Sequence, residues 1–288
     1  MAAKKKSQSV PEIIRHYLET GDDTSRAELA YKPPFPRPTK EDLLAALREE
    51  VSKRERERPR ASLPHGIEPL SLARAKAAPL VRGLFPAAER EPVQRVLEQS
   101  VIFLCADNIH ELLSSARWLH TAWSLANIYL DSLGARPLGN GDFRAVGLGE
   151  ETTSYISLKC FTDEDPFADY VVHEMAHVFH NWKRARIGLR ETRHREFLLN
   201  IDFTKREIFA FACEAYSRIL ELGRSPAARR QLLARFSLES AIAGKGKERA
   251  ELLQVLEAAV GKRNGWKQIL TMCSDGRGKR RATVIPKT

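Results

Sequence analysis

Cysteine is scarce and scattered. Cys105, Cys160, Cys213 and Cys273 are the only four in 288 residues, and no two stand at C-x-x-C spacing. That excludes a thiolate zinc cluster and offers no disulfide framework. Long apolar runs are also missing. No stretch approaches the ~18 residues of a membrane span, and the basic start Met1-Ala-Ala-Lys-Lys-Lys leads into no apolar segment of signal type. These absences predict a cytoplasmic protein with reduced thiols and no membrane partner. No internal repeat is visible either, which excludes a solenoid.

What is present is ordinary in bulk and uneven in detail. A hydrophobic fraction of 43% in a chain of this length suffices for one large core or two small ones. The net charge of +10 is concentrated at one end. From Lys262 onward there are eight Lys or Arg against Asp275 alone, so the rest of the chain is nearly neutral. The charge therefore does not argue for a nucleic-acid-binding fold. A basic tail over residues 261–288 either solubilises the chain or makes weak nucleic-acid contacts.

Three regions are expected. Residues 1–65 read as a basic, partly disordered arm. Tyr31-Lys-Pro-Pro-Phe-Pro-Arg-Pro interrupts any regular element there, and a single helix capped by Thr39 runs to about Arg56. Residues 66–260 read as the main globular domain, and 261–288 as the tail. Within the domain, Pro92 to Gln99 predicts a short helix and Ser100 to Cys105 a buried strand or its helical continuation. One helix is expected over 109–133, stopping near Gly134, with His120 in a core or surface role. Strand composition follows over Thr152–Phe161. Asp165-Pro166 predicts the start of a helix reaching about Arg184, and further helices are expected over 205–222 and 226–260. The fold class is α+β, mostly helical, with a small sheet ahead of the motif helix.

That helix carries His173-Glu174-Met175-Ala176-His177. Positions i and i+4 share a helix face, so both imidazoles can point at one ion. Glu174 lies beside them, where a carboxylate can serve a water without binding the metal. A catalytic zinc takes three protein ligands and keeps a position open. Four residues compete for the third place. Glu207 and Glu214 stand seven apart on an otherwise small and apolar helix, where a carboxylate needs a partner or a metal. His194 follows His177 by seventeen positions. His180 lies two turns beyond His173, roughly 10 Å along the axis.

The stretch Glu207-Ile-Phe-Ala…Glu214, together with His-Glu-Met-Ala-His, resembles the two zinc helices of the gluzincin metallopeptidases, most closely their aminopeptidase branch. The resemblance covers residues 173–216 and implies a zincin-like domain with Zn2+ held by His173, His177 and Glu207. It implies Glu174 as general base towards a zinc-bound water, with Glu214 on the family's later Glu. Glu207 comes thirty positions after His177, a longer gap than in that branch, and the sequence departs from it in three further respects. Arg206 replaces the Asn before the ligand, the G-x-M-E-N segment is missing, and no Tyr or His follows Tyr216. Tyr216, Tyr155 and His194 are the candidates for an oxyanion donor. The strand over 152–161 could pair with an extended peptide or protein substrate along its edge. Two rivals stand beside this zinc peptidase. One is an interaction or nucleic-acid-associated module that keeps the zinc fold without hydrolysis. The other is a crosslink protease, since Arg193-His-Arg-Glu-Phe197 resembles the H-G-x-x-F element of the spartan-like proteases.

Overall fold

The computed structural model describes residues 9–22, 37–139, 146–150, 152–192, 195–242 and 246–274. In chain order the elements are α1 (Val10–Thr20), α2 (Lys40–Glu55), α3 (Pro69–Leu84), α4 (Ala87–Ser100), β1 (Val101–Leu104), α5 (Ile109–Ser115) and α6 (Leu119–Ser132). Then come β2 (Gly147–Glu150), β3 (Thr153–Ser157), α7 (Tyr170–Asn181), α8 (Arg206–Leu222), α9 (Pro226–Glu239), α10 (Lys247–Val260) and α11 (Gly265–Cys273). The fold is α+β, mostly helical, with one small sheet in the order β1-β3-β2. Among the described residues no helix is long and apolar enough to cross a membrane.

Two compact units are present. The first comprises the described parts of residues 9–65, 103–148 and 157–159. Its N-terminal segment differs from the expected arm, because it holds two packed helices where one was expected. In α1 the apolar residues Val10, Ile13, Ile14 and Tyr17 recur at helical spacing. Glu12 accepts from the Ser9 backbone N–H at 2.7 Å and from its hydroxyl at 2.9 Å, fixing the first turn. Tyr17 is fully buried and donates to the Leu119 carbonyl at 2.9 Å. In α2, Thr39 is the N-cap, as read, and Leu43, Leu44, Leu47 and Val51 are buried. The proline-rich stretch 31–36 lies outside the described residues. The single helix expected over 109–133 is broken into α5 and α6. Ser114 and Ser115 turn their hydroxyls back to the carbonyls of His110 and Glu111, at 2.7 and 3.0 Å, and the chain becomes extended at Ala116.

The second unit comprises the described parts of residues 66–102, 149–156 and 160–274. The helix α4 starts at Ala87, earlier than expected, with Pro92 inside it. Strand β3 ends at Ser157, and residues 158–161 close a 3-10 turn. Asp165 does not cap the motif helix. Its carboxylate accepts from the Phe167 N–H at 2.9 Å in a separate turn that buries Phe167 edge-on against Phe236. Asp169 caps α7 instead, and that helix stops at Asn181.

The boundary of the tail moves as well. Residues 265–273 form α11, whose Trp266, Ile269 and Cys273 are buried. Trp266 meets Tyr216 edge-on at 4.9 Å and lies where a Cβ on Gly83 would overlap it. Packed chain therefore continues beyond residue 261. Residues 275–288, with most of the basic charge, lie outside the described residues.

Candidate metal centre

Helices α7 and α8 pack side by side and carry every described residue of the centre. Their close approach follows from the sequence of α8, where Ala210, Ala212, Cys213 and Ala215 are all fully buried. Small residues keep the helix axes near one another. Phe209 meets Phe179 of α7 at 6.4 Å, and Phe211 lies against the His173 ring at 4.7 Å.

The Nε2 atoms of His173 and His177 face each other at 3.2 Å. Glu207 brings Oε2 to 3.8 Å from His173 Nε2 and Oε1 to 3.7 Å from His177 Nε2. Three ligands at tetrahedral zinc distances stand about 3.3 Å apart, so this donor set fits such an ion with small side-chain adjustment. The imidazoles are largely shielded, whereas the Glu207 side chain is 62% exposed and leaves one side of the centre open. His173, His177 and Glu207 could therefore hold a metal ion.

Each imidazole has an outer partner. His173 Nδ1 lies 3.0 Å from Oε2 of the buried Glu214, whose Oε1 accepts from the Asp169 N–H at 2.9 Å. Asp169 in turn caps α7 and pairs with Lys76 of α3 at 2.7 Å, while Lys76 also holds Glu221 at 2.8 Å. Glu214 is thus a supporting group of His173 and stands outside the donor cluster. His177 Nδ1 lies 3.3 Å from His180 Nε2. His180 is 3% exposed, and among the described residues its Nδ1 finds no partner. Three residues past His177 on the same helix, it supports that imidazole from behind. The i, i+3 spacing makes this contact with His177 legible in the sequence, and the contact, not metal ligation, is the role the structure gives His180.

The charges follow the burial. Burial pulls His177 down to about 3, with the imidazoles of His173 and His180 adding to the effect. It also takes His180 down to about 3. Burial would lower His173 too, but the Glu214 carboxylate on its Nδ1 outweighs it and holds the imidazole above its ordinary value. Glu174 follows His173 and is only 7% exposed. Burial pushes its carboxyl up to about 7, against the opposing field of His173.

The remaining expected residues are placed unevenly. Tyr216 turns away from the histidines towards α11, where a Cβ on Gly265 would overlap its hydroxyl. It is therefore no oxyanion donor. Tyr155 follows Ser154, whose hydroxyl reaches the Glu174 carbonyl at 3.4 Å, so strand alternation directs Tyr155 to the opposite face. His194 lies outside the described residues. The strand expected to receive a peptide, β3, is the middle one, with both edges taken. Among the described residues β2 is an outer strand of the sheet, and a Cβ on its Gly149 would lie 3.7 Å from Glu174 Oε2.

No protein-family model matches this chain, and no curated protein or solved structure is significantly similar to it.

Proposed function

We propose that this chain is a zinc-dependent peptidase of zincin-like type, acting on extended peptide or protein segments. The observation that carries the reading is the convergence of His173, His177 and Glu207, with Glu174 desolvated beside them. His173 Nε2, His177 Nε2 and a Glu207 oxygen would hold the zinc. When bound, zinc supplies a Lewis acid that polarises a carbonyl and activates a water. Two neutral imidazoles and one carboxylate leave such a site with a net positive charge, which suits that task.

The chain's own residues supply the rest. Glu174 takes the proton of the attacking water and returns it to the leaving amine, and a carboxyl near neutrality is poised for both transfers. Glu214 keeps the His173 Nδ1 proton in place and so presents Nε2 bare, while His180 does the same for His177. The bare backbone at Gly149 lets an extended chain lie along β2 next to Glu174, in the manner of strand addition.

Metal analysis combined with digestion of a peptide library tests the reading. The purified chain should hold one zinc and cleave, and Glu174→Gln should keep the zinc but lose cleavage. A chain that takes up no metal after zinc-supplemented expression, or a Glu174→Gln variant as active as the parent, refutes it.

A further inference from the structure

Arg206 opens α8 immediately before Glu207, yet it makes no ion pair or hydrogen bond among the described residues. Other basic side chains of the same unit behave differently. Lys205 pairs with Glu251 at 3.1 Å, Arg184 with Glu89 at 2.6 Å, and Arg218 with Glu221. Glu207 is turned to the two imidazoles and leaves Arg206 unmatched. The Arg206 Nε is shut off from water without an acceptor. The two terminal nitrogens are not among the buried atoms, so they form the edge that an incoming anion can reach.

The guanidinium is also held in a fixed direction. Its Cζ stands 5.2 Å over the ring of Phe203, and that ring is 80% exposed. An aromatic face on one side orients the planar fork while leaving its outer edge free. The position is at the centre's rim, one residue before the donor Glu207 at the start of α8.

We propose that Arg206, braced by Phe203, is a substrate-recognition subsite that binds a carboxylate of the peptide while the metal centre holds the scissile carbonyl. The inference rests on the metallopeptidase reading above. A carboxylate suits the place better than a phosphate. One guanidinium matches one planar monoanion in bidentate fashion, whereas a dianion would meet the exposed carboxylate of Glu207 next door. Phe203 adds an apolar wall for the side chain adjoining that carboxylate. The carboxylate can come from a peptide C-terminus or from an Asp or Glu side chain.

The test uses the zinc-loaded full chain and four probes. Each carries a metal-binding hydroxamate, joined through a malonyl link to Ala-Ala acid, Ala-Ala amide, Ala-Asp amide or Ala-Asn amide. Affinities are read by calorimetric titration, so no turnover is required. In the parent chain one acid-bearing probe should bind about 10- to 100-fold tighter than its neutral partner, the range of a charge-assisted pair. Preference for Ala-Ala acid marks a C-terminus, and preference for Ala-Asp amide marks a side chain. Arg206→Gln should erase the preference and leave the neutral probes within about twofold, while Arg206→Lys should keep part of it. Equal affinity of all four probes for the zinc-loaded parent overturns the subsite while leaving the metal centre standing. A preference that survives Arg206→Gln overturns it too. Absence of zinc from the parent removes the metallopeptidase reading and the subsite together.

Discussion

The buried carboxylate of Glu174 should make the metal-free chain less stable as pH rises through the weakly acidic range. Its value is raised from 4.5 to about 7 in the folded state, chiefly by burial. Because the folded value lies above the unfolded one, the native state holds the extra proton between those limits. Stability therefore falls across that window, and the loss is complete above about pH 7. A shift of this size corresponds to about 3 kcal/mol, a large share of the ~5–15 kcal/mol typical of a folded domain. Glu174→Gln keeps the shape and removes the titration. Urea denaturation in the presence of a chelator, at pH 5 and pH 8, gives the comparison. The variant should gain about 2.5 kcal/mol on the parent between the two pH values, with titrating groups remote from Glu174 cancelling in the difference. A constant difference between parent and variant would show that this carboxylate is not desolvated as described, and would remove its claim to act near neutrality.

Three further outcomes are expected. Glu207→Ala should weaken zinc binding far more than Glu214→Gln, because only the former deletes a donor; loss of an outer partner typically costs ~10–100-fold in metal affinity, and competition with a chromophoric chelator measures both. His180→Ala should fall in that same ~10–100-fold range, with His180→Asn recovering part of it through its side-chain carbonyl; affinity unchanged in the alanine variant would show that His177 needs no support from behind. Trp266→Ala should destabilise the fold by about 3–5 kcal/mol, the cost of emptying an aromatic site, and thermal melting that leaves this variant at the parental midpoint would detach α11 from the core.

The centre was more legible in the sequence than its surroundings. His173, Glu174 and His177 declare themselves by helical spacing, and Glu207 and Glu214 by being carboxylates on a helix too apolar to expose both. Residue type and period carry that information locally. What sequence could not give was the third dimension of the support. The His177–His180 contact needs a buried histidine, which looks the same on paper as an exposed one. The role of Tyr216 depended on whether α11 existed, and the charge at Lys262, Arg263 and Lys267 masked the Trp266, Ile269 and Cys273 stripe beneath it. Helix α1 was hidden in the same way, since its Val10, Ile13, Ile14 and Tyr17 repeat lies between a basic start and a proline-rich run. Strand composition favours Thr152–Phe161, the segment of β3, as the strand that receives a peptide. β2, written Gly-Leu-Gly-Glu, has almost none, and its usefulness lies in the side chain that Gly149 lacks.

The pairing of α7 with α8 has one more consequence. His177 and Glu207 stand thirty positions apart in the chain, so an ion shared between them would close a loop of that length. A tie of this kind acts on the unfolded ensemble as a covalent cross-link does, by removing conformations that an open chain could explore. The penalty for closing the loop depends only weakly on its length, so the intervening segment is free to lengthen or shorten without much effect on the tie. Changes of length between the two helices would then leave the tie largely intact, with a shared ion keeping the helices in register.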